Sequence, residues 1–121
     1  MPKPEPAYTA DSEPLLYQPN DAVFARAAEI FRLMSTPIRI RIINTLCHGE
    51  KNVSEILANI ATTQPNLSQH LNLLYQARVL DKERRGNQIF YRIGNRDVVA
   101  LCRTLCSQVA ADQQAPAAAD E

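Results

Sequence analysis

The sequence predicts a mainly α domain with a small β-hairpin, in the order ααααββα. Apolar residues recur at the helical spacing of three and four from Val23 to Leu74, and between Val79 and Ile93 the pattern shifts to short β-prone runs around a glycine. Five of the eight prolines (Pro2, Pro4, Pro6, Pro14, Pro19) crowd the first 19 residues. They mark that stretch as a tail outside the folded body, since proline removes a backbone donor and blocks helix.

Asn20 is placed to cap a first helix starting at Asp21, with Val23, Ala27, Ile30, Phe31 and Met34 along one side. Ser35 and Thr36 precede Pro37, which suits a first helical turn, and Ile38, Ile42, Ile43 and Leu46 continue a second helix that Gly49 stops. A short third helix begins near Ser54, with Ile56, Leu57 and Ile60 apolar. Thr62 and Thr63 offer a cap before Gln64-Pro65, and a fourth helix runs to about Ala77 with Leu67, Leu71 and Leu74 on one stripe. The runs Val79–Lys82 and Ile89–Ile93 then form a hairpin around Arg85-Gly86-Asn87, giving it a basic tip. Asn95 caps a last helix whose face carries Val98, Leu101, Cys102, Leu105 and Val109. The expected organisation is a flexible, Pro-rich acidic tail over 1–19, one folded domain over 20–110, and a flexible acidic tail over 111–121.

The 121 residues carry 13 Lys+Arg and 13 Asp+Glu, so the formal net charge is zero. That figure hides a segregation. Residues 1–21 sum to −3 and residues 107–121 to −3, which leaves +6 on residues 22–106. A basic middle between acidic ends keeps a nucleic-acid partner open. No apolar run approaches the roughly 20 residues needed to cross a bilayer, and the first residues are acidic with no apolar stretch. A cytoplasmic protein with no membrane partner is expected.

The third and fourth helices, joined through Ala61-Thr62-Thr63, have the spacing of a helix-turn-helix. Opposite the leucine stripe lie Pro65, Ser68, Gln69, Asn72 and Gln76, short polar groups suited to base edges. Gln64 and Asn66 stand near the helix N-terminus, whose free N–H groups suit phosphate. Lys82, Arg84 and Arg85 on the hairpin can reach phosphate or a minor groove. Each half alone also reads as a solvated polar face; their order together favours double-stranded DNA over a protein-interaction module.

These residues resemble the ArsR/SmtB family of bacterial winged-helix repressors over about 80 residues, from Ala27 to Val109. The matching pieces are Leu33-Met34-Ser35-Thr36-Pro37-Ile38-Arg39, Leu46-Cys47-His48-Gly49-Glu50, Val53-Ser54-Glu55-Ile56-Leu57, Gln64-Pro65-Asn66-Leu67-Ser68-Gln69-His70-Leu71 and Ile89-Phe90-Tyr91-Arg92-Ile93. The resemblance implies a homodimer paired through its first and last helices, which allows a small core to suffice. It also implies operator contacts from Gln64, Ser68, Gln69 and His70, with Arg84 and Arg85 on the wing.

Members of the family sense metals, metalloids or sulfur species. A Cys-x-Cys box on the third helix is absent from Val53–Ile60, and Asp97 stands without a histidine on the last helix, so no zinc or nickel set is built. His48, beside Gly49 at a helix end, reads as a histidine satisfied by the helix dipole. No cofactor is expected, and no base or oxyanion site accompanies a nucleophile, so an enzyme is not expected.

Three cysteines remain: Cys47, Cys102 and Cys106. They can be plain buried thiols. The chain looks closest to the sulfur-responsive BigR/SqrR-like branch, which implies a reversible disulfide or polysulfide bridge between Cys47 and Cys102 or Cys106, formed under sulfide, persulfide or an oxidant. That branch's cysteines would fall at Asn44 and near Ala110, so Cys47 is a turn late and Cys106 about a turn early. Alternatively, Cys47, Cys102 and Cys106 supply three thiolates to arsenite, antimonite or cadmium.

Overall fold

The computed structural model describes residue 18 and residues 20–114. Apart from Gln18, the N-terminal tail expected over 1–19 lies outside the described residues, as does the part of the C-terminal tail over 115–121. The elements are α1 (Asp21–Leu33), α2 (Pro37–Leu46), β1 (Lys51–Asn52), α3 (Val53–Leu57), α4 (Gln64–Gln76), β2 (Leu80–Arg85), β3 (Gln88–Ile93) and α5 (Arg96–Gln113).

Side chains close the helix ends that the sequence marks. Asn20, Thr36, Thr63 and Asn95 each accept a backbone N–H from the first turn of α1, α2, α4 and α5 respectively. Asn52 and Glu55 form a reciprocal capping box on α3. α4 ends in a Schellman arrangement: the Val79 N–H donates to the Leu74 carbonyl at 3.0 Å and the Arg78 N–H to the Tyr75 carbonyl at 2.9 Å. Arg78 occupies the left-handed position that glycine usually fills, with φ 64°. This turn swings the chain from α4 straight into β2.

The three strands are antiparallel in the order β1-β3-β2. The core gathers between this sheet and α2, α3 and α4. Ile42, Ile56, Leu67, Leu71, Leu74 and Val79 are wholly buried, so the leucine stripe of α4 faces inward as its spacing requires. Replacing water with such contacts stabilises by roughly 1.5–3 kcal/mol per side chain.

Four details differ from the expectation. β1 is an added strand: Lys51 and Asn52 pair with Tyr91 and Phe90, too short a run to show any period. α3 stops at Leu57, although Ile60 remains buried in the turn that follows. The hairpin strands reach inward to Arg85 and Gln88, leaving Gly86-Asn87 as the turn, with Gly86 at φ 66°. Their charged ends belong to the ladder because cross-strand ion pairs fill the solvent face. α5 continues to Gln113, three residues past the expected boundary at 110, since Ala110 and Ala111 are good helix formers and nothing stops the helix before Gln114.

α1 buries no residue fully. Phe24 is 52% and Phe31 61% exposed, and Leu101 and Leu105 on α5 are 50% and 60% exposed. No described helix is long and apolar enough to cross a membrane.

Candidate functional site

Two arrangements stand out, one on α4 and the sheet and one along the seam between α2 and α5.

On α4, the buried leucine stripe turns Gln69 and Asn72 outward, where both are exposed. Gln64 and Ser68 sit on the flank nearer the hairpin. They line a groove of about 350 Å³ with Asn52, Ser54, Asn87 and Gln88, joining the helix N-terminus to the hairpin turn. Asn66 is tied to its own turn, its amide donating to the Thr62 hydroxyl at 2.8 Å and its backbone N–H to the Thr63 hydroxyl at 3.3 Å.

His70 occupies the other flank and is half-buried. Arg39 of α2 donates from Nε to its Nδ1 at 3.0 Å and from a terminal nitrogen to the Leu33 carbonyl at 2.9 Å. Burial, then the Arg39 charge, hold the His70 pKa below 6.5. Since the folded value is depressed, the contact stabilises above the unfolded value and weakens as pH falls through the folded one. This geometry makes His70 a strut between α2 and α4, half-buried where the resemblance implies an operator contact.

The three basic groups of the hairpin have different surroundings. Lys82 lies over the Tyr75 ring, 4.3 Å from its centroid, which couples β2 to α4. Arg84 donates from Nε to the Gly86 carbonyl at 3.1 Å and meets no carboxylate among the described residues. Arg85 instead points to the other face of the sheet. It pairs there with Glu50 and, at 3.0 Å, with Glu83, and it covers the Phe90 ring. Arg92 extends the network to Glu83 and Asp81. The Arg85 hydrogen bond, then its charge, hold the Glu83 carboxyl below the usual carboxylate range. Of the expected Arg-Arg tip, therefore, one charge is open and the other is matched within the fold, because adjacent strand residues face opposite ways.

α2 and α5 pack antiparallel. Cys47, at the end of α2, shares a groove with Val99, Ala100 and Arg103 of α5. Cys106 lies further along, beside Ile40 and Asn44. Cys47 and Cys102 are both half-buried against the core, whereas Cys106 is exposed. Burial, then the nearby Cys106 and Cys47, push the Cys102 thiol pKa up from 9.0. The antiparallel register thus leaves Cys47 and Cys102 both packed against the core and sets Cys106 by Asn44. Among the described residues, no three Cys, His, Asp or Glu side chains gather closely enough to hold a metal ion.

The sequence reading missed Arg39, Glu50 and Arg92, which hold or balance the expected site residues. The Asn52-x-x-Glu55 spacing was the available signal for the cap that fixes α3 beside β1. The tertiary partners of Arg39, Glu50 and Arg92 leave no local pattern.

Residues 36–82 match the family of bacterial regulatory proteins described as arsR. The biofilm growth-associated repressor of Agrobacterium fabrum is 37% identical over 90 residues, covering 72% of this chain and 77% of that protein. The transcriptional repressor BigR from Xylella fastidiosa has a similar structure, with TM-score 0.63 and 31% identity over 72% of this chain and 92% of that one. The antimony-specific repressor AntR matches with TM-score 0.69 and 27% identity over 78% of this chain and 87% of that one. The chain belongs to the ArsR family and is a DNA-binding transcriptional repressor, not an enzyme.

Proposed function

We propose that this repressor acts as a homodimer and leaves its operator when Cys47 and Cys102 become bridged by a reactive sulfur species or another thiol oxidant. Each protomer sets α4 in a major groove, with Gln64, Ser68, Gln69 and Asn72 at base edges and Arg84 on phosphate. α1 and α5 supply the dimer contact, since their exposed phenylalanines and leucines otherwise stay in water.

The observation that carries the switch is that Cys47 and Cys102 are both half-buried against the core where α2 and α5 pack, near enough for the Cys47 charge to act on Cys102. A disulfide or polysulfide accepts two electrons from the pair, and the two thiol protons leave with the reduced sulfur. Cys102, whose thiol is held protonated by burial, must lose its proton before the second, resolving attack, so bridging accelerates as pH rises. The bridge draws α5 toward the end of α2 and shifts the dimer contact. A change of ~1–2 Å in helix placement disturbs the spacing of the two recognition helices.

Peptide mass spectrometry after polysulfide treatment tests this reading. A linked Cys47–Cys102 peptide is expected; free Cys47 and Cys102 in protein that has released DNA contradicts it. The likeness to AntR favours a second reading, in which Cys47, Cys102 and Cys106, not gathered into a three-ligand site as they stand, close on arsenite or antimonite as three thiolates. That reading expects one arsenic per protomer, lost in all three serine variants.

A further inference from the structure

On the side of α5 turned away from Leu101 and Leu105 lie Arg96, Ala100 and Arg103, spaced so that both arginines share one face. They line a groove of about 480 Å³ whose other walls are Leu46, Cys47, Gly49 and Glu50 at the end of α2, and Arg92 and Ile93 on β3. The charges are unbalanced: Arg92 is paired with Asp81 and Glu83, and Glu50 with Arg85, while Arg96 and Arg103 meet no carboxylate among the described residues. An anion entering here exchanges solvent for two guanidinium groups, with a thiol in the wall. Because the exposed leucines of α5 face the opposite way, a dimer contact through them leaves this groove open.

We propose that the groove selects the thiol reagent by charge, docking a small carboxylate-bearing disulfide or polysulfide on Arg96 and Arg103 with its sulfur at Cys47. This rests on the thiol reading above and adds the class of effector. The docked disulfide R–S–S–R is attacked by the Cys47 thiolate: a Cys47 sulfur–sulfur bond forms, the R–S–S–R bond breaks, and one R–S⁻ leaves with the electron pair. Cys102 thiolate then attacks the Cys47 sulfur and expels the second R–S⁻. Two thiols are oxidised, one disulfide is reduced to two thiols, and the two cysteine protons end on the two R–S⁻ groups.

The test compares two disulfides on full-length Cys102→Ser/Cys106→Ser protein, where Cys47 is the only thiol. One probe is the dianionic dithiobis(nitrobenzoate), the other the uncharged dithiodipyridine. At low ionic strength, adding Arg96→Gln and Arg103→Gln is expected to slow the anionic probe about tenfold and leave the neutral probe unchanged. Arg96→Lys with Arg103→Lys retains the charge and most of the rate, which separates docking from a folding defect. Equal rates for the anionic probe before and after the glutamine changes, or an equal slowing of both probes, overturns the proposal. These exchange rates report the groove alone. DNA release by polysulfide from the Cys47→Ser protein reports the thiol switch alone, so either idea fails independently of the other.

Discussion

The α3–α4–sheet body and the α1–α5 helices are built on opposite principles. The body closes on itself: Ile56, Leu67, Leu71 and Leu74 are wholly buried, and its polar ends are capped or ion-paired. α1 buries nothing completely, and α5 keeps only Val98 and Val99 buried along its 18 residues. The first region holds its shape alone, so the outward polar residues of α4 are held in fixed register. The second depends on what it packs against, so a covalent change at the α2–α5 seam has something movable to act on.

The largest expected effect breaks the body. Leu71→Ala removes a fully buried side chain and is expected to cost about 2–5 kcal/mol in chemical denaturation. A cost below ~1 kcal/mol contradicts the account of the core. Leu105→Glu tests the other region, placing a charge on a side chain 60% exposed in the protomer. The dimer dissociation constant is expected to rise ~30-fold or more by sedimentation, with the helical signal of the body retained. An unchanged dimer excludes this face from the contact.

The hairpin gives a finer comparison. Arg84→Ala is expected to reduce the salt dependence of operator affinity by about one phosphate contact. Arg85→Ala, whose charge is already met by Glu50 and Glu83, is expected to change that slope less. The reverse order in titrations against salt contradicts the two-faced hairpin. The smallest effect sits at the joint. Arg78→Gly relieves the positive φ after α4 and is expected to stabilise by up to about 1 kcal/mol; a loss of stability shows that the Arg78 side chain compensates for the strain.

Most of the fold was legible because its signals are local. The leucine stripe, the caps at Asn20, Thr36, Thr63 and Asn95, and Gly86 in the hairpin each act within a few residues of chain. β1 was not legible, since two residues carry no period and their pairing partners lie about 40 residues away. The same limit applies to the site. Spacing turns Gln69 and Asn72 outward, but only tertiary packing engages His70 with Arg39 and Arg85 with Glu50. For the thiols, sequence left Cys102 and Cys106 equal. The antiparallel seam distinguishes them, placing Cys106 one turn away beside Asn44.

Operator release measured by fluorescence anisotropy under a fixed polysulfide dose tests the central claim most directly, comparing the parent with Cys47→Ser, Cys102→Ser and Cys106→Ser. The account predicts that the Cys47→Ser and Cys102→Ser proteins bind DNA and stay bound, while Cys106→Ser releases it as the parent does. Release from Cys47→Ser at the parent's dose, or a strict need for Cys106, would contradict it.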